Sequence, residues 1–193
     1  MPNLHVIVCS VRVKRMGLAV GSWFRDVAEQ HRGFTVRFID LREINLPIFD
    51  EPNHPRLQRY EFAHTKAWSQ IVSEADAFAF VTPEYNFSTP PALNNALHYL
   101  YREWHYKPAG FVSYGGIAAG ARGVQMTRQT VAALKMVPIA DAVHIPFIAR
   151  AMEDGKFKPT PENEKAARLL LDELVQWTEV LRPLRHPGPS TGD

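Results

Sequence analysis

Residues Ala77-Phe78-Ala79-Phe80-Val81 are apolar without alternation, and they run straight into Thr82-Pro83-Glu84-Tyr85-Asn86-Phe87-Ser88-Thr89-Pro90. A short apolar run that does not alternate reads as a strand buried on both faces, the kind found inside a parallel sheet. After Pro91, Leu93, Leu97, Leu100, Tyr101 and Trp104 recur at helical spacing. The nonamer is therefore a strand-to-helix loop, and in open α/β sheets ligands bind beyond that end of the strands. Pro83 and Pro90 stiffen its ends. Tyr85 offers a flat face, and Asn86 offers both donors and acceptors. From the residues alone, a ligand loop and a stiff turn around a half-buried Tyr are equally open.

The flanking segments repeat the strand–helix alternation. Leu4–Cys9 reads as a first strand, and the basic loop Ser10–Gly17 follows it. A helix starts near Gly17 or Leu18, carries Val20, Phe24, Val27 and Ala28 on one face, and stops at Gly33. Phe34–Asp40 alternates, as a strand near a sheet edge does. The stretch 46–55 holds three prolines and is a long loop. A helix from about Tyr60 to Ala75 leads into the central strand. Ala109–Ser113 is a fourth strand, 114–120 a glycine-rich turn, and a helix then runs to about Met136. Val143–Ile145 is a short fifth strand. Thr160-Pro161-Glu162 opens a last helix, with Thr at the cap and Pro at the first helical position; Leu170, Leu174, Trp177 and Leu181 form its buried stripe. Residues 1–185 make a single three-layer α/β domain, and 186–193 a disordered tail rich in Pro, Gly, Ser and Thr.

Composition narrows the function. The 193 residues carry a net charge of +2, which favours neither nucleic acid nor a membrane surface. Cys9 is the only cysteine, so no intrachain disulfide forms and a reducing cytoplasm fits. Its surroundings make it a small buried residue rather than a reactive thiol. No apolar run reaches transmembrane length. The eight histidines are scattered without metal-ligand spacing, so no metal is expected.

Three loops carry the chemistry. The first joins a strand to a helix start, so backbone N–H groups and the positive helix end converge on one spot. Ser10 adds a hydroxyl, and Arg12, Lys14 and Arg15 add charge; Arg grips phosphate bidentately. A solvated basic loop is the alternative. No Gly-x-Gly-x-x-Gly follows the first strand, so this is not a dinucleotide fingerprint. Nor is 115–120 a P-loop, because Ala121-Arg122 replaces the Lys-Ser/Thr. Gly115 and Gly116 instead allow close backbone approach to a flat ligand, and from the residues alone a purely structural turn is equally open. Glu84 could act as a base, although a carboxylate in a turn is more often solvated or bonded to backbone. Tyr99, Tyr101, Trp104 and Tyr106 are too aromatic for one solvated face and point to a subunit contact.

Pro83-Glu84-Tyr85-Asn86 with Ser88, Pro90 and Leu93-Asn94-Asn95-Ala96 resembles the flavin loop of the NADPH-dependent FMN reductase family. Ser10 and Arg12 fall in register with that family's Gly-Ser-x-Arg phosphate motif, and Ser113-Tyr114-Gly115-Gly116 with Gly120 and Arg122 resembles its second flavin loop. Two departures are Cys9 in place of Gly and Val13-Lys14 in place of the commoner Pro-Gly. The resemblance spans roughly residues 4–146. It implies a flavodoxin-like α/β/α sandwich around a five-stranded parallel sheet of order 2-1-3-4-5.

It also implies an FMN-dependent NAD(P)H oxidoreductase that passes hydride through FMN to a quinone, free flavin or azo compound in ping-pong fashion. Ser10, Arg12, Arg15, Gly17 and Leu18 would bind the cofactor at its phosphate end. Pro83, Glu84, Tyr85 and Asn86 would line one edge of the ring, and Ser113, Tyr114, Gly115 and Gly116 the other. No side chain is assigned as acid or base, and a homodimer or homotetramer is implied. An electron carrier that does not oxidise NAD(P)H is the alternative, but such carriers are usually strongly acidic, and this chain is not.

Overall fold

In a computed structural model, residues 1–185 are described; the expected tail at 186–193 lies outside them. Five parallel strands form the main sheet: β1 (Asn3–Val8), β2 (Thr35–Asp40), β3 (Ala77–Pro83), β4 (Pro108–Tyr114) and β5 (Val137–Ile145). Their order is β2-β1-β3-β4-β5, the flavodoxin-like arrangement. Helices α1 (Gly17–His31) and α6 (Pro161–Arg185) cover one face. Helices α3 (Ala63–Ser73), α4 (Pro91–His98) and α5 (Ala121–Ala133) cover the other, and a single turn, α2 (Leu41–Ile44), follows β2. A small antiparallel hairpin, β6 (Met152–Glu153) and β7 (Lys156–Phe157), sits beside α1.

The central strand sorts its residues by parity. Ala77, Ala79 and Val81 face the α1/α6 layer, where small side chains let the helices come close. Phe78 and Phe80 face the opposite layer, where Phe78 meets Trp104 edge-on, Phe80 lies tilted against Phe111, and Trp104 in turn meets Trp68 edge-on. Every residue of β3 and of β4 is buried, which is why neither strand alternates. Each fully buried side chain of this size contributes about 1.5–3 kcal/mol. Gly110 in β4 is a close approach: a Cβ there would meet Leu170 Cδ1 of α6 at 2.7 Å. At the start of α6, Asn163 N–H donates to Thr160 Oγ1 (3.3 Å) and Thr160 N–H to Asn163 Oδ1 (3.0 Å), a reciprocal cap.

Four expectations are corrected. Helix α4 ends at His98, and Tyr99–Trp104 continues as irregular chain and a short three-ten turn. The periodicity beyond His98 comes from the burial of Leu100 and Trp104; Tyr99 is fully enclosed too, so Tyr99 and Trp104 belong to the core rather than to a subunit contact. Strand β5 is nine residues long; Pro138 and a register shift opposite Ala109–Phe111 disguised its first half, and an edge strand tolerates both. Trp177 is 37% exposed and lies outside the buried stripe of α6, which Leu170, Leu174 and Leu181 do form.

Candidate active site

A cleft of about 180 Å³ opens at the carboxyl ends of β1, β3 and β4, lined by Ser10, Arg12, Lys14, Arg15, Met16, Pro83, Glu84, Tyr85, Tyr114, Gly115 and Ile148. Sheet order explains the convergence: β1 and β3 are hydrogen-bonded neighbours, and β4 pairs with β3 on its other side. The Cys9 N–H donates to the Val81 carbonyl at 2.9 Å, so β1 stays tied to β3 up to the loop. Cys9 is fully buried, and burial pushes its thiol well above the usual range.

The first wall is the start of α1. Its cap residue, Met16, makes no side-chain cap bond, and the first turn holds no acidic residue. The leading N–H groups, those of Gly17 and Leu18, therefore keep the free donors of an open helix end. Gly17 is there for space: a Cβ would meet the Tyr114 hydroxyl at 2.2 Å. That hydroxyl is itself buried and has no partner, and burial raises its pKa. Ser10 is buried, with its hydroxyl 2.8 Å from that of Tyr85. Arg12 and Lys14 are exposed.

Arg15 departs from expectation. Its guanidinium pairs with Asp40, the last residue of β2, and donates to the Ser10 carbonyl at 3.0 Å. Both side chains of the pair are over nine-tenths buried. Arg15 is thus a strut that shapes the loop rather than an open phosphate ligand.

The second wall is the loop after β3. Tyr85 and Ser88 exchange both backbone hydrogen bonds, with Asn86 (φ 49°) and Phe87 (φ 68°) between them. Positive φ at both central residues is the geometry of a primed turn. It carries Asn86 past the cleft rather than into its lining. The Glu84 carboxylate accepts from Arg122 Nε (2.7 Å) and from the N–H groups of Arg122 (3.1 Å) and Gly123 (3.4 Å) at the start of α5. Burial alone would raise its pKa, but the Arg122 bond, the Gly123 N–H and the Arg122 charge outweigh that and hold it low. Glu84 is an ionised tie between two loops, not a base. Arg122 also lies over the Phe87 ring, 3.8 Å from its centroid.

The third wall is the turn after β4. Gly115 lines the cleft, whereas a Cβ on Gly116 would meet open space. The Ser113 side chain is buried beneath this turn: its hydroxyl donates to the Ala119 carbonyl (2.8 Å) and lies 2.6 Å from His144 Nδ1. It braces the turn instead of facing the cleft. Met16 and Ile148 line the cleft without any sequence signal to single them out. Asp40 and the Glu84–Arg122 tie were legible only through sheet neighbours.

A match to the model of the NADPH-dependent FMN reductase family covers residues 2–150. The chain belongs to that family. It is an oxidoreductase of the class that works with NAD(P)H and FMN. It is 38% identical over 188 residues to an NAD(P)H-dependent FMN reductase of Schizosaccharomyces pombe, covering 95% of this chain and 86% of that one. An NADPH:quinone oxidoreductase of Arabidopsis thaliana is 42% identical over 103 residues, half of this chain and 49% of the other. In fold, the flavoenzyme NAD(P)H:(acceptor) oxidoreductase FerB of Paracoccus denitrificans aligns with a TM-score of 0.75 at 21% identity, over 93% of this chain and 98% of that one.

The cleft suits an anionic, flat cofactor. It joins an uncapped helix start, a glycine against which no side chain fits, and a buried tyrosine hydroxyl still lacking a partner. Among the described residues no helix is long and apolar enough to cross a membrane.

Proposed function

We propose that residues 1–185 form one FMN-binding unit that reduces a small acceptor (a quinone, free flavin or azo compound) with NAD(P)H, both substrates using the same cleft in turn. The observation that carries this reading is the open start of α1, beside Ser10 and Arg12 and beneath the partnerless Tyr114 hydroxyl. Bound there, FMN would supply hydride acceptance and two-electron chemistry. The chain's own part is positioning. The Gly17 and Leu18 N–H groups and the Ser10 hydroxyl donate to an anionic oxygen, and Arg12 adds a charge-assisted bond. Tyr85, held by Ser10, closes the wall between the first two loops. The Glu84–Arg122 tie fixes the second loop against the third, and Gly115 lets backbone approach a ring edge. No side chain is assigned a proton to move.

At about 180 Å³ the cleft is smaller than the roughly 300–1,000 Å³ usual for small-molecule sites, so one chain encloses such a cofactor only in part. Val13, Phe87, Ile117 and Phe147 stand exposed on the loops around it. Both facts support a homodimer or homotetramer that completes the site, in a reducing cytoplasm that suits the lone Cys9. Steady-state kinetics with NAD(P)H and a quinone varied together should give parallel double-reciprocal lines, and NAD(P)H alone should bleach bound flavin without air. Intersecting lines would require a second substrate site. A flavin that neither nicotinamide cofactor bleaches would make the chain an electron carrier.

A further inference from the structure

A second groove, of about 610 Å³, runs along α1 next to the flavin cleft. Leu18, Ala19, Ser22, Trp23 and Asp26 form one side, and Gly155, Lys156 and Phe157 of the small hairpin form the other. Arg15 lines both this groove and the cleft. Paired with Asp40, it stands as the partition between them. We propose that this groove holds the adenosine diphosphate half of the nicotinamide donor, an inference that rests on the reductase reading above.

The donor's two halves have different needs. Only the nicotinamide ring must reach the flavin cleft. The other half carries a flat purine, ribose hydroxyls and phosphates, and the chain has no Gly-x-Gly-x-x-Gly fingerprint to hold them. The groove offers matching chemistry. Trp23 is a fixed aromatic plate: its Nε1–H donates to Glu164 Oε1 at 2.7 Å, and Phe157 packs edge-on at 5.0 Å between centroids. A pinned indole stacks on a base without first losing rotamer freedom. Leu18, 42% exposed at the groove's wall, is apolar surface left uncovered by the fold. Ser22 presents a hydroxyl and Asp26 a carboxylate, one oxygen of which accepts from the adjacent Arg25 (2.7 Å); both groups hydrogen-bond ribose hydroxyls. Lys156 stands at the hairpin tip and makes no ion pair among the described residues, whereas Lys158 nearby is paired with Glu153; its ammonium is available to a phosphate. The tip is tight, with Asp154 and Gly155 both at positive φ (48° and 75°). Binding energy gathered here, far from the reacting atoms, positions the nicotinamide.

The test uses three ligands. Calorimetric titration of 5′-ADP into the FMN-loaded full chain, whose phosphate site is already filled, should show binding, weakened tenfold or more by Trp23→Ala and by Lys156→Glu. In the same holoenzyme, Trp23→Ala should raise the KM for NADPH roughly ten- to hundredfold, the effect of losing one base–aromatic stack. The KM for reduced nicotinamide mononucleotide, which lacks the adenosine half, should match wild type in both variants. Lys156→Glu alters only an exposed side chain, so it decides the matter if Trp23→Ala fails to fold. Unchanged ADP binding in both variants, or a parallel rise in the KM for the mononucleotide, would overturn the proposal. If NADPH failed to bleach the flavin, the reductase reading would fall, and the ADP titration would still decide the groove by itself.

Discussion

Replacing Gly17 by Ala places a methyl group 2.2 Å from the Tyr114 hydroxyl oxygen, well inside contact distance. Tyr114 is 5% exposed and fixed at the end of β4, so neither partner can step aside freely. Overpacking of this kind costs about 1–3 kcal/mol, and for a chain of this size it should lower the melting temperature of the flavin-free protein by roughly 2–12 °C. The hydroxyl alone is at fault. Without it, the nearest atom to the new methyl is the ring Cζ, at 3.1 Å, a tight but adjustable contact. Tyr114→Phe by itself should be neutral or slightly stabilising, because it removes a buried group without a partner. In the double variant it should recover part of the loss, a coupling of about 0.5–3 kcal/mol. Differential scanning calorimetry of wild type, both single variants and the pair closes the cycle. FMN titration of the same four proteins should show Gly17→Ala binding worst. If Gly17→Ala melts with wild type, or Tyr114→Phe rescues nothing, the close packing of helix start against tyrosine is not what shapes this wall.

Arg12→Ala should weaken FMN binding about ten- to hundredfold, the worth of one charge-assisted hydrogen bond; equal affinities by flavin fluorescence would remove Arg12 from the site. Burial, with Arg37 and Lys107 nearby, lowers the His5 pKa to about 4, so the unfolded chain takes up the proton first. Stability should be full above pH 6.5, decline as pH falls toward 4 and then level, and His5→Phe should flatten that limb in pH-dependent melts; an identical limb in the variant would place its origin elsewhere. Cys9, fully buried with a raised pKa, should react with a thiol reagent only as the protein unfolds, and rapid labelling of the native protein would contradict its packing role.

The sheet was readable because its central strands are buried on both faces, a condition that writes itself into β3 as an unbroken apolar run. The same logic misled at 99–104, where burial spaced Leu100 and Trp104 as if on a helix. Edge strand β5 was half hidden because edges tolerate what centres do not, here Pro138 and a register shift. At the site, loops were legible by position and composition, since a strand–loop–helix junction is local. What each side chain does there was less legible, because it depends on neighbours remote in sequence. Arg15 looked like an anion ligand until Asp40, twenty-five residues on, claimed it. Glu84 stood open between a base and a carboxylate solvated or bonded to backbone until α5 supplied Arg122 and two N–H groups. Ser113 turned inward to Ala119 and His144, a partner on the next strand. The order 2-1-3-4-5 already put the ends of β2 and β1 side by side, and charge pairing across that seam was the signal available.

Asp40 serves two masters. One oxygen caps α2 through the Arg42 N–H at 2.9 Å, and the other meets Arg15. An Asn would keep the cap yet strand a guanidinium in a dry setting, where loss of one partner from a buried pair costs about 3–5 kcal/mol. A change at Arg15 alone would strand the carboxylate instead. Single-step drift at either position is therefore closed, and the two should vary across lineages as a unit: kept together, or exchanged together for an uncharged pair of similar bulk. The loop that greets the cofactor thus takes its evolutionary constraint from a strand at the far edge of the sheet.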